Sequence, residues 1–288
     1  MLRSDAAGNA LGADRLKRVI RYASLALALV VAGCATKDDV DDLALDETPA
    51  EVMFNEALAL RASGDISGAA KKFYELDRVY PYSEFARKSL INIAYLNFKM
   101  GKYPEAVAAA ERFTTLYPGN KDSAYALFII GESYFRQIPD VGRDQAVTAK
   151  ALDAMREVVQ RYPDSEYTKQ ARQRIRATED QLAGKEMEVG RYYLARKNYL
   201  ASINRFKVVV TNYQTTRHVE EALYRLTESY YALGVTNEAQ TAAAVLGHNF
   251  PQSQWYQDAY SLLKKGGLEP RENKGSWLSR AFGNMKIL

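Results

Sequence analysis

Between Arg87 and Pro118, Leu90, Ile93, Ala94 and Asn97 stand at helical spacing, the pattern breaks at Gly101, and it resumes with Tyr103, Ala106, Ala110 and Phe113 up to Tyr117-Pro118. Steps of three and four place each set on one side of a helix, glycine marks the turn and proline the stop. The stretch therefore predicts a helical hairpin. The closing pair recurs along the chain as Tyr80-Pro81, Tyr117-Pro118, Tyr162-Pro163, Tyr213-Gln214 and Phe250-Pro251. Five hairpins follow from it.

Small residues where the two helices approach, with a unit close to 34 residues, fit the pattern of a tetratricopeptide repeat. The first unit has Ala57, Gly64, Ala69 and Phe73 in register, and the last has Tyr230, Gly234, Ala239 and Leu246. The expected fold is all-α, a right-handed α-solenoid of about five such hairpins. Successive closing pairs are 37, 45, 51 and 37 residues apart, so units three and four carry about 8 and 14 extra residues.

The first unit is expected as helices over 50–63 and 66–79. At three junctions Ser83, Ser165 and Ser253 follow the proline by two residues, where a hydroxyl caps the next helix. In unit three a helix over 123–137 leads into Ile138 to Gln145, an insertion on the rim of the solenoid that reads as a recognition loop, before the second helix resumes near Ala146. After Ser165, small or apolar residues recur at Tyr167, Ala171, Ile175, Thr178, Leu182, Val189 and Tyr193 without proline, which predicts one long helix over 165–196. Fourteen residues is close to four turns, so the insertion is expected to keep one buried face. Gly184 gives a place for a bend, and Gly190 holds the small-residue packing position.

Ahead of the repeats, Arg15, Lys17, Arg18 and Arg21 precede an apolar run from Ala23 to Ala32, the layout of an export signal over 1–33. The run is too short to span a bilayer. Val31-Ala32-Gly33-Cys34 resembles the lipobox of bacterial lipoproteins, in which the cysteine is acylated and becomes the mature N-terminus. Cys34 is the one cysteine and has no disulfide partner, so lipidation accounts for it. Residues 34–48, with Asp38, Asp39, Asp41, Asp42, Asp46 and Glu47, read as a solvated acidic tether. The same resemblance to lipoproteins implies that Ala35-Thr36 after the cysteine, lacking Asp, is compatible with an outer-membrane, periplasm-facing destination.

The organisation that follows is repeats one to three over 49–164, repeats four and five with the long helix over 165–265, and a tail over 266–288. Within the tail, Trp277, Leu278, Phe282 and Met285 lie on one side of a short helix, suited to covering the solenoid end, docking a partner or touching a membrane.

Charge and chemistry narrow the function. The first 33 residues hold five of the 39 Lys and Arg and two of the 35 acids, which leaves the rest at +1 out of +4. Such a near-neutral body argues against nucleic acid as a partner. The two histidines, His218 and His248, are thirty positions apart, and there is no phosphate loop or Ser/His/Asp motif. No metal, cofactor or enzymatic activity is expected. Binding remains. First-helix positions Phe54, Leu58, Ile91, Tyr95, Phe98, Phe128 and Phe135 form an aromatic row on the concave side, flanked by Arg61, Lys99 and Arg136. Two readings stand: a groove for an extended peptide with bulky aromatic residues and a carboxylate, or side chains covered by neighbouring repeats.

Lipobox, acidic tether, five repeats, Arg143-Asp144-Gln145 in the insertion, and Arg161-Tyr162-Pro163-Asp164-Ser165-Glu166-Tyr167 leading into a long helix together resemble the BamD family of outer-membrane assembly lipoproteins. The resemblance covers nearly the whole chain. It implies a lipid-anchored scaffold of the β-barrel assembly machinery that binds the POTRA region of BamA, associates with other BAM lipoproteins and receives unfolded outer-membrane β-barrel proteins. By the same resemblance Ser202-Ile203-Asn204-Arg205-Phe206 places the BamA-contacting arginine at Arg205, and Tyr80 matches a tyrosine linked to precursor binding, with a packing role as its alternative. A repeat lipoprotein that scaffolds other cell-envelope or peptidoglycan complexes is the competing reading.

Overall fold

In the computed structural model, which describes residues 48–283, the periodicity becomes twelve α-helices and, among the described residues, no strand. Five hairpins come first: α1 (Ala50–Ala62) with α2 (Ile66–Val79), α3 (Glu84–Lys99) with α4 (Tyr103–Leu116), α5 (Ser123–Phe135) with α6 (Ala146–Arg161), α7 (Thr168–Ala195) with α8 (Tyr199–Asn212), and α9 (Val219–Ala232) with α10 (Thr236–Asn249). Two helices follow, α11 (Gln254–Lys265) and α12 (Trp277–Gly283). From α1 to α11 each helix packs on its neighbours in the chain, α12 packs on α10, and first helices also touch along the row, α1 on α3, α3 on α5 and α5 on α7. That contact order is a solenoid.

The turns between paired helices demand a left-handed residue. Gly64, Gly101 and Gly234 supply it at φ 89°, 73° and 74°, and Lys197 takes the same place between α7 and α8 at φ 58°. Junction chemistry follows the Tyr-Pro motif. Ser83 Oγ accepts from Ala86 N at 3.0 Å, and Ser253 Oγ accepts from Trp255 N at 3.2 Å. Ser165 Oγ likewise accepts from Tyr167 N at 3.2 Å, although Tyr167 and not Ser165 immediately precedes the first residue of α7. There the Thr168 hydroxyl donates to Tyr162 O at 2.7 Å, and the Tyr162 hydroxyl donates to Pro118 O at 3.1 Å, joining two successive junctions.

Apolar side chains gather into two main clusters. The first holds Phe73, Leu90, Ile93, Leu96, Phe113, Met155 and Val158, and the second Met187, Phe206, Val209, Leu223, Leu226 and Leu246. α7 feeds both, with Ala171 and Ile175 in the first and Ala183 and Met187 in the second. Between them Thr178 is fully buried, and its hydroxyl bonds back to Arg174 O and Ile175 O at 2.8 Å. The expectation of one preserved buried face is corrected here. Thr168, Ala171 and Thr178 lie on one side of the helix, whereas Ala183, Met187 and Gly190 lie on another, because the first half packs on hairpin three and the second on hairpins four and five.

The tail folds back along hairpins four and five instead of capping the row, whose end is covered by α11 against α9 and α10. Gln240 Nε2 donates to Glu269 O at 2.7 Å and Ser276 Oγ to Glu238 at 2.6 Å. Leu278 is fully buried, Trp277 Nε1 donates to the Tyr230 hydroxyl at 3.1 Å, and Gln214 Nε2 donates to Ala281 O at 3.0 Å. Met285 lies outside the described residues.

Candidate functional site

The first three hairpins frame a groove of about 700 Å³ lined by Arg61, Ile66, Ile91, Asn92, Tyr95, Asp122 and Tyr125. Arg61 enters from the end of α1, Ile91 and Tyr95 from the middle of α3, and Tyr125 from the first turn of α5. The guanidinium of Arg61 is steadied by Asn92 Oδ1, and Asn92 Nδ2 is tied in turn to Lys88 O at 2.8 Å. The side chain is thus held by a neutral amide and keeps its charge for a ligand. Tyr125 stacks on Tyr167 with ring centres 5.0 Å apart, and burial, with Tyr167 and Tyr95 adding and Arg61 opposing, pushes its phenol up to about 12. It therefore remains a hydrogen-bond donor at neutral pH. Aromatic walls with one fixed cation suit an extended segment carrying an aromatic ring and a carboxylate.

Only Ile91 and Tyr95 of the anticipated aromatic row line this groove. Phe54 turns between repeats, its ring 5.6 Å from both Phe73 and Phe85. Leu58 packs partly buried against the first cluster, as does Phe98, whose ring is 5.9 Å from Tyr103. Phe128 is 8% exposed and stacks under Tyr167 at 5.3 Å, so it belongs to the core. Phe135 lies beneath the Arg174 guanidinium at 4.3 Å, and that cation is held by Glu132 at 2.6 Å. Tyr80 is half-buried against Met53, Leu76 and Ala86, the environment of a packing residue. Ile66, Asn92, Asp122 and Tyr125 complete the groove without having been anticipated. Tyr125 precedes Phe128 by three residues, so helical spacing puts both on one stripe, and that is the signal that could have found it.

The insertion in hairpin three is a fastened loop. Gln145 Nε2 donates to Asp140 O and Arg143 O at 3.0 and 3.1 Å, Asp144 Oδ1 accepts from Ala146 N at 2.9 Å, and α7 holds the loop through Gln181 Nε2 to Pro139 O and Lys185 Nζ to Gly142 O at 2.9 and 2.8 Å. Beside it is a cavity of about 590 Å³ whose walls include Val141, Asp180, Gly184 and His218. Nε2 of His218 is buried without a hydrogen-bond partner, 3.9 Å from Asp180, and burial holds the imidazole pKa below its ordinary value.

Arg205 is exposed on α8 and pairs with Glu186 of α7 at 3.3 Å. Cys34 and most of the acidic tether lie outside the described residues.

The YfiO family, described as outer membrane lipoprotein, matches residues 46–246. A Caulobacter vibrioides protein named outer membrane protein assembly factor BamD is 45% identical over 87% of this chain and 82% of its own. Proteins of the same name from Rickettsia prowazekii and Neisseria meningitidis serogroup A are 40% and 34% identical, over 84% and 85% of this chain and 95% and 96% of theirs.

Proposed function

Because the chain belongs to the BamD family of outer-membrane lipoproteins and acts in outer-membrane protein assembly, we propose that it is a non-enzymatic scaffold that holds unfolded β-barrel precursors beside BamA. The observation that carries the precursor role is the groove. Arg61, held by an amide and in no ion pair, shares the groove with Tyr95, Tyr125 and the carboxylate of Asp122. A precursor strand would lay an aromatic side chain between the tyrosines and direct a carboxylate to Arg61.

The rest of the reading assigns each surface a partner. Cys34 carries the acyl chains that hold the protein on the periplasmic face of the outer membrane, with the acidic segment after it as spacer. Arg205 meets the POTRA region of BamA, and other BAM lipoproteins join the same scaffold. Affinity purification of the acylated protein in mild detergent tests the assignment. BamA and barrel precursors should be recovered together, and recovery of cell-wall enzymes without BamA would instead favour a scaffold for peptidoglycan or other envelope complexes. Changing Cys34 to Ser should release the protein from the outer-membrane fraction.

A further inference from the structure

Two first helices of this solenoid, α5 and α9, are sheathed by the preceding hairpin on one side and their own second helix on the other, whereas α1 and α3 expose residues such as Glu51, Val52, Glu84 and Lys88. No residue of α5 is exposed from Ser123 to Phe135, and in α9 only Ala232 is. α7 breaks the pattern because it has 28 residues and its partner α8 has 14. Phe206 of α8 seats on Gly190, and Tyr213, which ends α8, lies within electrostatic reach of Glu179. The first turns of α7 therefore project past the end of α8. Their outer side, carrying Lys169, Gln170, Arg172, Gln173, Arg176 and Ala177, is exposed throughout.

Three of those residues, Lys169, Arg172 and Arg176, are cations at i, i+3 and i+7, which is one stripe along the helix. Like charges at these spacings repel one another, and a helix normally offsets them with carboxylates three or four positions away. Here the carboxylates within that reach are engaged elsewhere. Glu179 holds Arg156 at 2.8 Å, Asp180 holds Arg217 at 2.9 Å, and Glu166 bonds the Tyr167 phenol. Arg174, in the same turns but on the inner side, has its own carboxylate in Glu132. The outer stripe is thus a row of unneutralised positive charge on the surface that a second helix would occupy in a regular hairpin.

We propose that this face is a docking site for a helix of a partner protein that presents carboxylates at i, i+3 and i+7, laid along α7 where α8 falls short. A helix is the occupant because the vacant side continues the face on which α8 packs and its cations stand at helical spacing. Acidic side chains suit the site because carboxylates at that spacing offset the repulsion among the three cations. The site is separate from both the groove and Arg205, so it stands whether or not those assignments hold.

The test uses the purified full chain in detergent and, as probe, a fluorescent alanine-rich helical peptide of about 20 residues with glutamates repeated at that spacing. The peptide should bind, weaken as salt is raised, and lose at least about tenfold in affinity to the Lys169→Gln, Arg172→Gln, Arg176→Gln triple variant. A matched peptide with glutamine in place of glutamate should not bind. Neutralising Lys71, Arg78 and Lys121 instead should leave affinity intact, and an equal loss there would mean bulk charge alone is at work and overturn the proposal. The stripe variant should melt no lower than wild type, since a marked drop would assign the cations a folding role and sink the idea. So would a complete lack of peptide binding, or stripe-dependent binding to phosphatidylglycerol vesicles without peptide binding, which would make the ligand a lipid headgroup.

Discussion

A Cβ placed on Gly190 would come within 2.4 Å of Phe206 Cε1, so the fully buried Phe206 ring occupies the space a side chain at 190 would need. The contact fixes how closely α7 and α8 approach. Gly190→Ala should destabilise the protein by roughly 1–2 kcal/mol, the cost of overpacking less the helix propensity gained. A Cβ placed on Gly184, inside the same helix, would stand 3.2 Å from Val141 Cγ2 and 3.4 Å from His218 Nε2, so Gly184→Ala should be milder. Urea titration of both variants checks the order, and equal losses would show that Phe206 can yield.

Lys197 is the second test of hairpin four. It is the one non-glycine residue at positive φ among the described residues, in a turn where three sister hairpins place glycine. The left-handed conformation costs a residue with a Cβ roughly 1–2 kcal/mol, and glycine returns roughly 0.5–1 kcal/mol of that through its larger unfolded-state freedom. Lys197→Gly should therefore raise stability by up to about 1 kcal/mol, read as a higher urea midpoint at unchanged slope. A lower midpoint would mean that the lysine side chain contributes more than the strain costs.

Most of the helices were legible because each repeats the same spacing and ends at the same turn chemistry. The expected 66–79 coincides with α2, and the expected 165–196 differs from Thr168–Ala195 by only a few residues. The change of buried face within α7 was not legible. Ala171 and Ala183 are equally small and apolar, and which hairpin each meets depends on where α8 ends. The groove was half legible for a related reason. A first helix in a solenoid is apolar toward the groove and toward both neighbouring repeats, so spacing groups Tyr95 with Phe128, although Tyr167 from the next junction covers Phe128. The insertion in hairpin three was visible as extra length, but its hydrogen bonds to Gln181 and Lys185 of α7 bridge more than forty residues and leave no local pattern.

That difference within the groove row is measurable. Phe128→Ala should cost about 3–5 kcal/mol of stability as a buried aromatic truncation. Tyr95→Ala and Arg61→Gln should leave the melting temperature nearly unchanged while weakening binding of a precursor peptide that carries an aromatic residue and a free carboxylate. A variant of Tyr95 that unfolds as readily as the Phe128 variant would place Tyr95 in the core as well.

His218 makes stability depend on pH. Burial lowers its pKa from 6.5, Asp180 opposes that shift, Arg217 and Arg191 reinforce it, and Glu221 opposes it weakly. With the folded value below the unfolded one, the unfolded chain binds more protons in the interval between them, so stability is full above about pH 6.5 and declines as pH falls through that interval. The His218→Gln variant should lose this component of the slope between about pH 7.5 and 5.5 in urea titrations. An identical slope in wild type and variant would assign the pH dependence to other groups.

The last prediction concerns Arg205, whose guanidinium is exposed on α8 and reaches Glu186 at 3.3 Å. Both partners retain solvent contact, with 45% and 22% of their side-chain surface exposed, so the pair contributes only about 0–1 kcal/mol. Arg205→Ala should therefore leave helicity and melting temperature almost unchanged. Binding to BamA is another matter. A guanidinium can take a partner carboxylate through two parallel hydrogen bonds, and removing it strands that carboxylate at the interface, at a cost of roughly 2–5 kcal/mol where the pair is buried. Because Glu186 already engages one edge of Arg205, the incoming carboxylate must either use the remaining nitrogens or displace Glu186, and both routes need the planar fork. Arg205→Lys keeps the charge without the fork, so it should recover only part of the affinity lost in the alanine variant. Titration of the purified protein with the POTRA region of BamA measures both, and wild-type affinity in the two variants would remove Arg205 from the interface.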